Sequence, residues 1–375
     1  MKWDNYQLKD IANYWTGKVE AGLLDATNYI STDNLVPDRG GVVNSNYVPT
    51  SGNANSYSEN DVLISNIRPY FKKIWFADKQ GGCSNDVLVF RAKENVEPLF
   101  LYYQLSKDAF FDDMVAGSNG TKMPRGNKTS IMEFKLQIPP LPTQHKIASI
   151  LSAYDDLIEN NLKRIKLLEE KAFLRYKGIV KEEKLEKHIL SEFGYIITGK
   201  TPSTTIADYF GDDVPFIKTP DMHNQIFIEH TDQMLSELGA KSQEKKFLPP
   251  LSLSVSCIGT AGVVGITSKP SQTNQQINSI VFYEPKNVYF FYSLMSQMKE
   301  QLDALGSNGS TFTNVNKNKF ENMEVFVPNQ KVLNEYAEEF EAPFKLILTL
   351  QKQNAKLREA RDILLPRLMN GEIEV

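Results

Sequence analysis

The sequence contains an internal duplication that spans most of its length. Residues 117–139 and 306–328 align without a gap, and 7 of these 23 positions are identical. Similar segments recur at comparable offsets, such as residues 62–65 with 253–256. A period this long exceeds the roughly 20–50 residues of solenoid repeats. The duplication therefore predicts two similar modules related by a pseudo-two-fold axis, a design that suits a two-part partner better than one buried active site.

The length and composition are those of a soluble protein with two cores. A chain of 375 residues with 41% hydrophobic side chains is expected to form two core-containing domains. Its two cysteines, Cys83 and Cys257, form neither a disulfide framework nor a metal-binding pair. The N-terminus has no signal-peptide pattern, and no apolar run is long enough to span a membrane. We therefore expect a cytoplasmic protein with no membrane segment.

Basic residues are concentrated in stretches that lack acidic ones, although the formal net charge is −4. Such stretches also contain many Asn, Gln, Ser and Thr residues, and they recur in both halves of the chain. Lysine and arginine without nearby carboxylates are what a phosphate-facing surface requires, so the distribution of charge favours a nucleic-acid partner. The alternative is that these are ordinary polar loops. The four stretches are residues 62–77, 114–132, 245–283 and 304–320.

Each module is followed by a helical segment with a coiled-coil pattern. Apolar residues alternate in steps of four and three, which is the spacing of a coiled-coil seam. The alternative is an amphipathic helix that packs only on its own domain. The seam positions, which we also interpret as part of a partner-docking region, are Ile147, Leu151, Ile158, Asn161, Ile165, Leu168, Ile347, Leu350, Asn354 and Leu357.

Two kinds of residue modify this helical prediction. Pro343 is incompatible with a regular helix interior, so the sequence predicts that the second helix restarts there, with a matching break near Tyr154. Asn161 and Asn354 occupy seam positions, where a polar residue fixes register at some cost in stability. We therefore expect interrupted helices with a defined register.

The remaining segments, about residues 1–140 and 183–328, have a mixed pattern. Short strand-like stretches such as residues 61–66 and 86–91 are separated by loops rich in Asn, Gly and Ser. One helix is predicted in each segment, at residues 98–111 and 288–302. The predicted fold class is α+β.

Motifs that suggest an enzyme have weak support in this sequence. Residues 194–201 match the phosphate-loop pattern, but Pro202 follows at once, where a helix should begin. The first half lacks two residues of that motif. Pro220-Asp221 with Glu244-Lys245-Lys246 fits a metal-dependent nuclease pattern only loosely. The four histidines are scattered, so neither a zinc site nor any other metal, cofactor or catalytic site is predicted.

Three stretches resemble the specificity subunits of type I restriction-modification systems. They are residues 138–148 (IPPLPTQHKIA), residues 357–371 (LREARDILLPRLMNG) and residues 198–202 (TGKTP). The last is typical of the start of a recognition domain in that family, which explains the false phosphate loop. The second junction, Val327-Pro328-Asn329-Gln330, lacks the double proline of the first. The resemblance covers essentially the whole chain.

The resemblance implies two tandem target-recognition domains separated by two long antiparallel coiled-coil helices. Each domain would read one half of a bipartite double-stranded DNA site, and the helices would set the spacing and dock partner subunits. The implied partners are methyltransferase subunits, two in number, and restriction subunits, while the chain itself is non-catalytic. The implied boundaries are 1–141 for the first domain, 142–182 for the central helix, 183–328 for the second domain and 329–375 for the C-terminal helix.

The candidate DNA-binding residues lie mostly in the acid-free stretches and the repeated loops, and Lys200 and Lys218 are further candidates of the second half. Residues common to both loops are expected to hold phosphate or the fold, and the Gly-Ser-Asn-Gly loop has a structural turn as its alternative. Residues that differ between the halves are expected to read bases. The candidates are Arg68, Lys72, Lys73, Asn119, Lys122, Arg125, Asn127, Lys200, Lys218, Lys269, Gln275, Asn308, Thr311, Asn316 and Lys317.

Two other functional classes compete with this interpretation. One is a coiled-coil scaffold whose domains bind protein rather than DNA. The other is a nucleotide-dependent enzyme that uses Gly199-Lys200-Thr201. Salt-dependent DNA binding that requires a co-expressed methyltransferase would distinguish the DNA-recognition interpretation from both alternatives.

Overall fold

The computed structural model describes residues 3–118, 123–306 and 313–375. The chain divides into two compact units, one made of Met1–Asp156 with Leu357–Val375 and the other of Leu157–Lys356. The divisions fall inside two long helices, so each unit contains a globular part and a portion of both helices.

The first unit is built on two four-stranded sheets. One has the strand order β2-β9-β6-β7 and the other β3-β5-β8-β4, while β1 pairs with β10. Its strands are β1 Asp4–Gln7, β2 Ala12–Tyr14, β3 Lys18–Glu20, β4 Tyr29–Ile30, β5 Asn53–Tyr57, β6 Val62–Ser65, β7 Ile74–Phe76, β8 Gly81–Cys83, β9 Val87–Ala92 and β10 Lys135–Ile138. Its helices are α1 Leu8–Ile11, α2 Pro98–Leu105, α3 Asp108–Ala116, α4 Lys128–Met132 and the start of α5 Leu141–Glu182.

The second unit has a five-stranded sheet in the order β12-β20-β16-β18-β14 and a three-stranded sheet in the order β15-β13-β19. Two further pairs are β11 with β22 and β17 with β21. Its strands are β11 Glu186–Ile189, β12 Gly194–Thr198, β13 Phe210–Ile217, β14 Phe227–Ile228, β15 Met234–Leu235, β16 Leu253–Ser256, β17 Ile258–Gly259, β18 Val264–Thr267, β19 Gln272–Thr273, β20 Ile277–Phe282, β21 Thr313–Asn314 and β22 Glu324–Val327. Its helices are α6 Glu237–Lys241, α7 Val288–Met295, α8 Lys299–Gly306, α9 Lys317–Glu321 and most of α10 Gln330–Met369.

The two units repeat the same strand ladders. Val62 of β6 lies opposite Phe90 of β9, and Leu253 of β16 lies opposite Ile280 of β20. The parallel pair of β4 with β8 recurs as β13 with β19. Mixed helix and strand content in two like-built units agrees with the predicted α+β class. The matched ladders also make it possible to compare the two units residue by residue.

The central sheet of the first unit is buried on both faces. Ile64 and Phe90 pack with Phe110 on the helical side, whereas Leu63 and Val89 pack towards the second sheet. This double burial accounts for the continuous apolar sequences of β6 and β9, since a strand exposed on one face would alternate apolar and polar residues.

The helix predicted in each globular segment is in fact a pair of shorter helices. The prediction for residues 98–111 is replaced by α2 and α3, and that for residues 288–302 by α7 and α8. In the first unit, Lys107 is extended and forms the N-cap of α3, so the chain changes direction there. Apolar residues continue across the turn, and their periodicity alone therefore did not reveal the break.

The expected interruption of the long helices is wrong. α5 continues through Tyr154 and α10 continues through Pro343. Proline removes the hydrogen bond that its N–H would donate to the carbonyl four residues earlier. Phe340, Phe344 and Ile347 around it are fully buried, and their packing against the core of the second unit offsets that loss. No helix among residues 3–118, 123–306 and 313–375 is long and apolar enough to cross a membrane.

The two long helices pair antiparallel, and the seam asparagines meet. In the second unit, the Asn161 Nδ2–H donates to Asn354 Oδ1 over 2.9 Å, and the Asn354 Nδ2–H donates to the Ile158 carbonyl over 3.3 Å. Asn161 and Asn354 are both buried. Sliding one helix along the other would separate these amides, so the pair fixes the register.

We expect the Asn354→Leu variant to be destabilised by about 1–3 kcal/mol, because the buried Asn161 amide loses its partner. The double variant Asn161→Leu/Asn354→Leu should regain this stability, since two apolar residues then pack in the seam. Thermal unfolding of the two variants and the wild type checks the prediction. Equal stability of the single variant and the wild type would contradict it.

Candidate nucleic-acid interface

In the first unit, polar side chains gather where β8 ends and β3 begins. The Lys18 Nζ donates to Asn55 Oδ1 over 2.6 Å, and the Asn55 Nδ2–H donates to Asn85 Oδ1 over 3.3 Å. Lys18 and Asn85 are exposed, and Asn55 is half-buried. Two amides and a lysine at the protein surface provide donors and acceptors for base edges and phosphates. Sequence reasoning missed these three residues, because Asn55 and Asn85 lie 30 residues apart and meet only when β5 pairs with β8.

Arg68 and Arg125 are brought together by the chain that follows β6. The Arg68 N–H donates to the Pro124 carbonyl over 2.9 Å, and an Arg125 Nη lies 3.1 Å from a carboxylate oxygen of Asp86. Arg68 is exposed and has the left-handed φ of 50°. Among the described residues, no carboxylate forms an ion pair with Arg68. Both guanidinium groups are therefore accessible to a ligand on this side of the first unit.

Lys72 and Lys73 are engaged within the domain. The Lys72 Nζ lies 2.6 Å from Asp108, which also pairs with Arg39, and these two cations lower the pKa of Asp108. The Lys73 Nζ donates to the Thr32 carbonyl over 2.5 Å, and burial lowers the pKa of Lys73. Both lysines hold loops of the fold, and their proposed contact with phosphate stays a prediction.

The second unit has a corresponding cluster at the end of β19. The Lys200 N–H donates to the Thr273 carbonyl over 2.9 Å, and the Thr201 Oγ1–H donates to Gln275 Oε1 over 2.6 Å. Lys218 directly follows β13, the strand that runs parallel to β19. Lys218 and Gln275 therefore lie just beyond the carboxyl ends of the neighbouring strands β13 and β19. Lys200 is hydrogen-bonded to β19. Lys269 is exposed and precedes β19, so it lies at the other end of that strand.

The amides of the phosphate-loop motif are used in the sheet. Residues Gly194–Thr198 form β12, which pairs with β20 along its whole length. The Gly199 N–H donates to the Ile277 carbonyl over 3.1 Å, and the Lys200 N–H donates to Thr273. A phosphate loop needs a bend with free N–H groups at the start of a helix. This segment cannot form one without breaking the sheet.

Gly199 is required by close packing. A Cβ at Gly199 would lie 2.1 Å from the Asn274 carbonyl oxygen and 2.3 Å from that of Thr273. At the matching Gly17, the nearest atoms belong to the side chains of Trp15 and Ser56, at 2.6 and 2.7 Å. Side chains can rotate away, whereas the backbone of a paired strand cannot.

We therefore expect Gly199→Ala to destabilise the protein by about 3 kcal/mol, a large overpacking effect, and Gly17→Ala to cost clearly less. Urea unfolding of the two variants provides the comparison. Equal losses would mean that the sheet around Gly199 adjusts more easily than its geometry indicates.

The repeated loops contain helix caps. The Asn127 side chain accepts from the Thr129 and Ser130 N–H groups at the start of α4, and Asn316 accepts from the Lys319 N–H at the start of α9. These asparagines are identical in the two halves because each caps the same short helix, which supports the structural alternative for them. Lys317 pairs with Glu321 over 3.0 Å, and like the two caps its contact with DNA stays a prediction. The candidates Asn119, Lys122, Asn308 and Thr311 lie outside the described residues.

The matched strand ladders show which candidate positions carry the same residue in the two units and which carry different ones. Tyr14 lies opposite Phe90 and Ile196 opposite Ile280, so Lys18 and Lys200, four residues after the first member of each pair, correspond. By the same register, Asn85 corresponds to Gln275, Asp86 to Gln276 and Arg125 to Asn314. A shared lysine suits phosphate, which is the same in every sequence. Side chains that differ suit bases, which are not.

The seam residues of the helices are used in helix pairing, while other apolar residues remain exposed. Ile158, Leu350 and Ile347 are buried, and Ile165 and Leu168 pack against the core of the second unit. Ile147 and Leu151 are buried in the core of the first unit, and Leu357 is half-buried. The sequence did not single out the exposed leucines of α5, which the seam pattern leaves unassigned. They are Leu157, Leu162, Leu167 and Leu174.

The nuclease-like motif has a structural role in part. The Asp221 carboxylate accepts from the Lys218 and Asp232 N–H groups, which holds the turn after β13. In the part of the chain that the structure describes, no three His, Cys, Asp or Glu side chains are arranged to hold a metal ion.

Comparison with known proteins gives a consistent result over the whole chain. A family model described as the type I restriction modification DNA specificity domain matches residues 1–170 and again residues 182–358. The chain is 30% identical to the type I restriction enzyme HindI specificity subunit of Haemophilus influenzae, over 99% of both proteins. It is 26% identical to the MjaIX specificity subunit of Methanocaldococcus jannaschii, over 76% of this chain and 71% of that one.

A solved structure shares the fold. The crystal structure of the type I restriction-modification system S subunit from M. genitalium superposes with a TM-score of 0.63 over 98% of this chain and 96% of that chain, at 16% sequence identity. With the domain model matched in both halves and a relative aligned from end to end, this chain belongs to the family of type I restriction-modification specificity subunits.

Proposed function

We propose that this chain is the DNA-recognition subunit of a type I restriction-modification complex, in which each globular domain reads one half of a bipartite double-stranded site. As a specificity subunit it is non-catalytic. One observation carries the bipartite proposal. Matched strand ladders carry a polar cluster in each unit. A lysine is common to the two clusters, as Lys18 and Lys200, whereas neighbouring positions differ, as Asn85 and Gln275 do.

The proposed division of roles follows from the chemistry of DNA. Phosphates are identical along the duplex, so Lys18 and Lys200 would position each domain on the backbone. Base edges differ, and amide or guanidinium groups on loops form paired hydrogen bonds with them in the major groove. Two such domains on one chain would read two short sequences separated by base pairs that neither domain contacts.

Methyltransferase subunits are the proposed first partners, and restriction subunits the second, in a cytoplasmic complex. The proposed docking region includes the exposed leucines of α5, because an apolar side chain in water is stabilised when a partner covers it. The methyltransferase subunits, two per complex, would supply the adenine chemistry and bind its cofactor, since this chain is proposed to contribute recognition alone.

The test is DNA binding by the chain alone and by the complex formed with its co-expressed methyltransferase. We expect the complex to bind duplexes that contain its site and to shift their mobility in a gel, with an affinity that falls steeply as the salt concentration rises. Methylation of a bipartite sequence in the host genome should accompany binding. A complex that forms but neither binds nor methylates DNA sequence-specifically would favour the scaffold alternative.

Substitution of the exposed leucines of α5 tests whether they contact the methyltransferase subunits. Leu167→Glu and Leu174→Glu should each reduce copurification of the methyltransferase, because both leucines are more than 60% exposed and a buried unpaired carboxylate is costly. Lys166→Glu, a neighbouring substitution at an exposed and already polar position, is the matched control. Unchanged copurification of both leucine variants would place the docking region elsewhere.

A further inference from the structure

The two units differ in charge at one pair of corresponding positions. In the first unit, Arg125 and Asp86 form an ion pair at 3.1 Å. The corresponding residues of the second unit are Asn314 and Gln276. Ile67 bridges to Arg125 as Ile258 pairs with Asn314. Asp86 directly precedes β9 as Gln276 directly precedes β20. A charged pair in one unit is thus replaced by two neutral amides in the other.

The backbone holds this ion pair in a defined place. The Asn66 N–H donates to the Asp86 carbonyl over 2.8 Å, and the Gly126 N–H donates to the Asn66 carbonyl over 3.2 Å. The residue after β6 therefore fixes the segments that carry both charged side chains. Such support keeps a recognition side chain close to its productive position before the ligand arrives.

The guanidinium of Arg125 is only partly used by Asp86. Its side chain is 57% exposed, and one Nη group faces the carboxylate. Among the described residues, no other side chain or carbonyl accepts from it. Arginine presents further N–H donors in a planar fork, and that geometry matches the O6 and N7 acceptors of guanine in the major groove.

Resting on the proposed DNA-recognition function, we infer that Arg125 reads a guanine in one half-site and that Asp86 is the positioning residue that orients it. The second domain has no arginine at this position. The two half-sites therefore differ in how the corresponding base is recognised, and Asn314 suits a base other than guanine, since amides pair best with adenine.

The test uses the complete complex with its methyltransferase and the variant Arg125→Asn, which introduces the residue found at this position in the second domain. Sequencing of methylated genomic DNA first defines the wild-type site. In the variant, one position of one half-site that is guanine in the wild-type site should accept other bases, while the other half-site and the spacing stay unchanged. Binding to duplexes in which that guanine is replaced should show discrimination reduced by about 5- to 150-fold.

Two further variants separate recognition from charge. Arg125→Lys keeps the charge but not the planar fork, so it should retain affinity and lose most of the discrimination. Asp86→Asn should lower discrimination by a smaller factor without changing the salt dependence. Lys187→Gln, which removes another exposed ion pair of similar exposure, is the control that should change neither.

Three results are distinguishable. An unchanged methylated site in Arg125→Asn would overturn the inference. A uniform loss of affinity for all duplexes, with a salt dependence reduced by about one phosphate contact, would also overturn it, because Arg125 would then bind phosphate. Failure of the wild-type complex to methylate any defined sequence would instead contradict the proposed function, before any variant is compared.

Discussion

Replacing residues 1–140 with the first domain of another specificity subunit should change one half of the methylated site completely and leave the other half and the spacing unchanged. The two units have separate cores, since the apolar clusters of the first involve no residue of Leu157–Lys356. Base contacts come from loops supported by those cores. Sequencing of methylated DNA from cells that carry the chimera gives the answer.

The structure identifies a control for this exchange. Leu368 and Met369, at the end of α10, are buried in the core of the first unit. A donor domain whose core does not fit these two side chains would be destabilised for a reason unrelated to DNA. A second chimera that also carries the donor residues at 357–375 removes this conflict. If both half-sites changed together in a stable chimera, recognition would not be divided between the domains.

The parts of the fold that were predicted correctly depend on patterns local in sequence. The seam spacing of four and three follows from helix geometry alone, and it identified Asn161 and Asn354, which are hydrogen-bonded in the structure. The α+β class followed in the same way from short strands and loops. Pro343 shows the limit of such rules, because the buried residues around it keep the helix intact.

The candidate site was less predictable because ion pairs join segments that are far apart in sequence. The stretch with Lys72 contains no acid, yet Asp108 lies beside that lysine in space. Arg125 similarly meets Asp86. A charge pattern along the chain does not show which lysines are already neutralised by such pairs. The strand registers were needed before shared and divergent positions could be distinguished.

The other large effect is expected from the long helices. Inserting one heptad after Asn161 and another after Leu350 should lengthen the spacer of the methylated site by about three base pairs. Seven residues extend a helix by about 10 Å, and base pairs are stacked at about 3.4 Å. Heptads preserve the seam, and both members of the Asn161–Asn354 pair stay on the same side of the inserted segments. The helix pair should therefore keep its register.

DNA geometry limits the activity of this variant. Three base pairs turn the duplex by roughly 100°, given about 10–10.5 base pairs per turn. One domain would then face the wrong side of the duplex unless the DNA or the helices twist, so methylation should be weaker as well as differently spaced. A single insertion after Asn161 is the control. It shifts the seam of one helix by a heptad relative to the other and should destabilise the pair.

The outcome decides what the helices do. A longer spacer with unchanged half-sites means that α5 and α10 set the distance between the two half-sites that the domains recognise. An active double-insertion variant with the original spacer would mean that another contact, made by the partner subunits, sets that distance. The length of the helix pair would then reflect docking alone. Sequencing of the methylated bases distinguishes these cases directly, since spacing and half-sites are read from the same molecules.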